Sequence, residues 1–233
     1  GNDDRDLTSA LLAYAQTLGA DLAGVAPAER LDALAEQLRP VFETETVLDA
    51  TDRSIRFTPW QPDVQPRQPR VKTPADWLPG ARSVLVFGLR YHRAVLQQAT
   101  RPPAEAVGPY AFQTYVTHWL GSVIGYRLVN WLEARGYAAV LTADLTGTGS
   151  FTANPRGPQP DLFCNRFAGL AAGLGRLTVS GHLATPAFGI RQRLVALVTD
   201  APLAASPLAA DGIADRCGAC GRPCIAACPS QAI

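Results

Sequence analysis

The residues best equipped for chemistry are four cysteines in one short run, Cys217-Gly-Ala-Cys220-Gly-Arg-Pro-Cys224-Ile-Ala-Ala-Cys228-Pro229. Thiolates this close together let a single loop wrap an iron–sulfur cluster and ligate several of its irons. A final Cys followed by Pro turns the chain away, and in two-cluster domains that Cys serves the other cluster. Three residues separate Cys220 from Cys224, where the common bacterial run has two, so the loop is slightly larger and its ligand chemistry unchanged. A zinc knuckle is the alternative. Zinc sites usually place a longer span between two Cys pairs and rarely carry Cys-Pro, so iron–sulfur is the better reading. Five cysteines, four of them clustered, do not form a disulfide framework. They point to a reducing compartment, and a cytoplasmic location is expected. The fifth, Cys164, stands alone beside Asn165 and reads first as a small buried hydrophobe, with a ligand or nucleophile as the alternative.

The rest of the chain excludes several chemistries. It has 233 residues, 47% apolar, with formal net charge +1. That length buries a substantial core, and the charge gives no reason to expect a nucleic-acid partner. Only one of the 21 basic residues is Lys, and Lys72 follows Val71, so no Gly-Lys phosphate loop exists. Gly147-Thr-Gly149 and Gly173-Leu-Gly175 both lack the third glycine of the dinucleotide fingerprint. Neither G-x-S-x-G nor H-E-x-x-H occurs. His92, His118 and His182 are far apart, and each reads first as a structural histidine. No apolar run reaches the roughly 18–20 residues that span a bilayer, and the acidic start is not a secretory signal as it stands.

Periodicity supplies the elements that must position these groups. Helices are expected over 5–18, 28–38, 111–135 and 162–175, and strands over 21–26, 83–89, 137–142 and 192–199. In the long helix the apolar positions include Trp119, Val123, Tyr126 and Leu132, and Gly121 and Gly125 permit close packing on one face. Six prolines make 58–80 an extended connector, and its Arg67, Arg70 and Lys72 read as solvated loop charge. Residues 146–160 form a loop. Interleaved helices and strands favour a layered α+β domain over 1–205. Residues 206–233 begin a separate module organised by its metal.

Three stretches, "DWLPGARSVLVFGLRY" (76–91), "AGLAAGLGRLTVSGHLATPAFGIRQRLVALVTDAPL" (168–203) and "CGACGRPCIAACPSQAI" (217–233), resemble the epoxyqueuosine reductase and reductive dehalogenase superfamily of cobalamin-linked iron–sulfur proteins. The resemblance implies an α/β sandwich like the nitroreductase fold that cradles cobalamin. It also implies a ferredoxin-like module with one or two [4Fe–4S] clusters held by Cys217, Cys220, Cys224 and Cys228. Electrons would come from a ferredoxin- or flavodoxin-type donor. Reductive chemistry on a small molecule or modified nucleoside would follow. Tyr110, Tyr115 and His118 echo a "YARGRDYH"-like segment of the tRNA-modifying members, without its Arg-Asp pair, and Tyr110 and His118 are the pocket candidates. Asp144 and Asp161 are the nearest acids to a "VDSAP"-like stretch, and neither is in register. These departures, with the near-zero charge, count against tRNA as substrate. They also favour an alternative, a non-catalytic electron-transfer or cofactor-servicing protein. Because a two-cluster module needs further cysteines downstream, the sequence is expected to be a truncation.

Overall fold

The computed structural model describes residues 2–44, 47–50, 64–98, 108–149, 151–152, 159–160, 163–210, 213–228 and 231. In chain order the elements are α1 (Asn2–Thr17), β1 (Leu22–Pro27), α2 (Ala28–Phe42), β2 (Val47–Ala50), β3 (Val64–Arg67), α3 (Pro74–Trp77), β4 (Ser83–Arg90), α4 (Arg93–Gln98) and α5 (Pro109–Glu133). There follow β5 (Ala139–Thr142), β6 (Phe151–Thr152), β7 (Gln159–Pro160), α6 (Arg166–Ala171), β8 (Arg176–Leu177), β9 (Leu183–Ala184), β10 (Gln192–Thr199), a 3-10 turn (Ile213–Gly218) and α7 (Pro223–Ala226).

The main sheet has strand order β1-β4-β10-β5 and is antiparallel throughout. Its centre is the pair β4 and β10, two runs of mostly β-branched and aliphatic residues that set Phe87 opposite Val195 and Leu85 opposite Leu197. Strand alternation sends Leu85, Phe87, Leu89, Val195 and Leu197 to one face, where they pack with α1 and α5 through Leu11, Ile124, Leu128 and Leu132. Val84, Val86, Leu194, Ala196 and Val198 face the other way and meet Leu31 of α2 with Ala168 and Ala171 of α6. With both faces covered, β10 is buried along its whole length and carries a continuous apolar run over Leu194–Val198. The result is a mixed α and β domain around a small antiparallel sheet, as expected for α+β.

Several expectations change. The 162–175 helix is confined to Arg166–Ala171, because Asn165 (φ 60°) and Gly173 (φ 73°) both take left-handed conformations that break it. The proline-rich connector contains β3 and the one-turn α3. Pro74 opens α3, and the Asp76 carboxylate accepts from Thr73 N at 2.8 Å and Thr73 Oγ1 at 3.0 Å. Those bonds hold the Asp76 carboxyl below the usual range. Arg70 is exposed, as expected of solvated loop charge, and pairs with Asp76 at 2.5 Å, while Lys72 sits over the Trp77 ring. The Arg67 side chain and residues 58–63 lie outside the described residues. In α5 the buried face is Thr117, Gly121, Ile124, Gly125, Leu128 and Leu132. Trp119, Val123 and Tyr126, expected among the packed positions, are exposed. Close packing at the two glycines holds: a Cβ on Gly121 would lie 2.9 Å from Val195, and one on Gly125 2.3 Å from Leu141.

After β10 the chain runs back over the domain as a strap, residues 201–208, held by hydroxyls. Ser83 Oγ donates to Ala201 O at 2.8 Å and accepts from Leu203 N at 3.0 Å. Thr8 Oγ1 accepts from Ala204 N at 2.7 Å. Ser206 N donates to Val25 O at 2.8 Å, and Val25 N donates to Ser206 Oγ at 3.0 Å. Arg30 reaches Ala171 O and Ser206 O, tying the strap to α6. The strap delivers the chain to the cysteine turn, which packs against β8.

Candidate functional site

Tyr110 and His118 lie on the N-terminal half of α5, where it crosses the end of β4 and the start of β10. Both are half-buried. The strand ends bring two further groups to them. Tyr91, 1% exposed, continues β4, and its ring lies 5.9 Å from that of Tyr110. Its backbone is fixed by Arg191 on both sides: Tyr91 N donates to Arg191 O at 2.8 Å, and the Arg191 guanidinium donates to Tyr91 O at 3.2 Å. Thr117 Oγ1, one helical turn from Gln113, lies 3.5 Å from the Tyr91 hydroxyl. Arg193, 2% exposed, is the other group, and its charge acts on both Tyr110 and His118.

Burial pushes the Tyr110 phenol up from its ordinary pKa and Tyr91 adds to this, while Arg193 and the Thr114 hydroxyl act in the opposite direction. Burial pushes the His118 imidazole down, and the Arg193 guanidinium lowers it further. At neutral pH the site therefore presents a protonated phenol, a neutral imidazole and a fixed cation. That set can donate a proton, accept one and hold an anion.

Arg193 and Tyr91 are absent from the sequence candidates. The signal for Arg193 is its type: it is the one charged residue in the apolar strand Gln192–Thr199. Tyr91 gives no such signal, since an aromatic after a buried strand is ordinary core.

The other candidates stand elsewhere. His92 is exposed, and its amide donates to Gln113 Oε1 at 3.2 Å. His182 contacts Ser180 Oγ at 3.0 Å and lies 4.1 Å from the Phe163 ring. Tyr115 is half-buried on α5. Asp144 is buried and accepts from Gly149 N at 3.0 Å; Asp161 lies outside the described residues. Cys164 is buried, as its hydrophobe reading expects. Its neighbour Asn165 ties the sheet to the loop after β5, accepting from Leu145 N at 2.8 Å and donating to Ala143 O at 2.7 Å.

None of the four clustered cysteines is in a disulfide. They lie on the 3-10 turn and around α7, at least partly exposed, with Gly221 and Arg222 both left-handed between Cys220 and Cys224. Cys220 Sγ donates to Cys217 O at 3.5 Å. Among the described residues no three His, Cys, Asp or Glu side chains converge as a metal site. The thiols thus offer a cluster's donor chemistry without its closed geometry. A cavity of about 320 Å³ lies between α2 and α6, lined by Leu34, Leu170, Leu208, Arg30 and Arg176, and a polar one of about 290 Å³ lies by Arg82. Neither touches Tyr110 or His118. Among the described residues, no helix is long and apolar enough to cross a membrane.

The sequence matches no protein-family model and no curated protein. Solved structures do match. An epoxyqueuosine reductase bound to a tRNA-Tyr stem loop is 19% identical with a TM-score of 0.62, covering 97% of this chain and 52% of its own. The Bacillus subtilis epoxyqueuosine reductase, with its catalytic loop swung out of the active site, is 19% identical with a TM-score of 0.61, covering 97% and 52%. A reductive dehalogenase, whose structure suggests a mechanism for B12-dependent dehalogenation, is 19% identical with a TM-score of 0.63, covering 99% and 26%. The chain thus spans about half the length of these epoxyqueuosine reductases and about a quarter of the dehalogenase. Over nearly all of its residues, the chain has the fold that epoxyqueuosine reductase and reductive dehalogenase structures share.

Proposed function

We propose that the chain belongs to a cobalamin-linked iron–sulfur oxidoreductase that reduces a small molecule or a modified nucleoside. The observation behind this reading is the coincidence of that fold with a run of four closely spaced thiols in a single segment following the sheet. Cys217, Cys220, Cys224 and Cys228 would hold a [4Fe–4S] cluster, which supplies electrons one at a time. Tyr110, His118 and Arg193 would bind and orient the substrate, with the phenol as proton source. A corrinoid is supported by the likeness to the dehalogenase; the cavities beside α2 and beside Arg82, of about 320 and 290 Å³, are each too small for a corrin, and no step is assigned to it. Near-zero net charge favours a small molecule over a polyanionic tRNA.

Anaerobic purification of the full-length protein, with iron and acid-labile sulfide assays, tests the reading. Iron and sulfide in near-equal amounts are expected, and Cys220→Ser should lose most of both with the fold retained by circular dichroism. Zinc without sulfide overturns the cluster. An absorption spectrum of added cobalamin left unperturbed by the full-length protein overturns the corrinoid.

A further inference from the structure

The cavity between α2 and α6 stands apart from the candidate site and has a chemistry of its own. Its walls are aliphatic: Ala33 and Leu34 come from α2, Leu170 from α6 and Leu208 from the strap, and no aromatic ring enters the lining. Set among them is Arg30, whose Nη1 donates to Ala171 O at 2.6 Å and Ser206 O at 3.3 Å. Both acceptors are neutral carbonyls. Among the described residues Arg30 has no carboxylate partner, and neither Asp nor Glu lines the cavity. A guanidinium fixed in this way holds its remaining donors in the planar fork that matches a carboxylate, and it loses little freedom on binding one. Arg176 of β8 brings a second cation to the same lining.

We propose that this cavity binds a small aliphatic monocarboxylate, with the carboxylate on Arg30 and the chain against the leucines. The volume of about 320 Å³ lies at the lower end of the range for small-molecule sites. At about 30 Å³ per water-sized group it admits roughly ten non-hydrogen atoms, the size of octanoate. A phosphate dianion is a poorer match, because aliphatic walls supply no donors for its further oxygens. A peptide backbone is poorer too, since it would bring N–H and C=O groups that leucine and alanine side chains cannot pair. An acyl chain carries no such groups. Occupancy would cover Leu208, 59% exposed on the strap, and so hold down the segment that leads to the cysteine turn. Neither Tyr110 nor His118 lines the cavity, so this site stands or falls separately from the reductive reading.

Isothermal titration of the intact protein with octanoate, kept anaerobic, tests this. Saturable one-to-one binding with a dissociation constant below about 1 mM is expected. Ala33→Trp, a change at an exposed lining position that fills the cavity, should weaken it at least about 10-fold, as should Arg30→Met. Replacing octanoate with 1-octanol should weaken it by a similar factor. If Arg30→Met changes the circular dichroism, Ala33→Trp and 1-octanol decide. No binding by the wild type overturns the proposal, including the case in which other parts of the polypeptide fill the cavity. Octanol binding as tightly as octanoate overturns it, because the guanidinium then has no role. Binding unchanged in Ala33→Trp overturns it as well. In hydrogen exchange, octanoate should raise protection over 206–209, and protection raised only elsewhere counts as disproof.

Discussion

At residue scale, burial is the largest influence on both candidate groups, and one buried cation opposes it at Tyr110 and adds to it at His118. Arg193 sits in a strand otherwise made of neutral residues, and it acts on both Tyr110 and His118. Replacing it with Met keeps much of the packing and removes the charge. The His118 titration in Arg193→Met should move up toward the ordinary imidazole range, read from ring proton shifts by NMR. It should stay somewhat below that range, because burial, the larger cause, persists. An unmoved midpoint would show that the guanidinium does not act on His118. The linked stability has a defined sign. His118 has a folded pKa below its unfolded value, so its contribution is complete above about pH 6.5 and is lost as pH falls through the folded pKa. His118→Gln should therefore flatten the acid side of a denaturation series.

At the scale of elements, length and patterning decide what the sequence reveals. The expected strand 192–199 matches β10 residue for residue, because a long run of β-branched and aliphatic residues has few other ways to be buried. Strand β4 is legible for the same reason, and the first two helices through apolar residues at helical spacing, such as Leu31, Ala35 and Leu38. The helix around 162–175 is not, since its limits depend on left-handed backbone at Asn165 and Gly173 that composition alone does not dictate. The inward face of α5 is illegible on different grounds: with apolar residues on both sides, periodicity cannot choose between them. The strap is invisible in sequence, because it is held by Thr8, Ser83 and Ser206 from distant parts of the chain. Ser83→Ala should cost about 0.5–1.5 kcal/mol in urea denaturation, because Leu203 N and Ala201 O lose the buried hydroxyl that bridges them and keep only the bond to each other. For a chain of this size that lowers Tm by roughly 2–4 °C per kcal/mol. An unchanged midpoint would mean that water replaces the hydroxyl and that the strap does not depend on it.

At the scale of the whole molecule, the cysteine run and the three quoted stretches already lead to the fold, and the solved structures match it over nearly the full chain. The cluster of Tyr91, Tyr110, His118 and Arg193 was only half legible, because two strand ends and a helix assemble it from positions far apart in sequence. The strap has a consequence for how the molecule avoids its own copies during folding. Strand β1 is outermost in the main sheet, and its outward groups at Val25 would otherwise be open to a foreign strand. Ser206 occupies both of them. Since that contact joins residues 181 positions apart, it forms only after the whole domain has been made. Until then the nascent chain exposes a sticky border, and Ser206→Pro, which removes the amide donor to Val25 O, should extend that exposure. More turbidity during refolding from urea is the expected outcome, with wild-type turbidity counting against a guarding role. The residue that leads the chain toward its clustered cysteines thus also closes the window in which the sheet can aggregate.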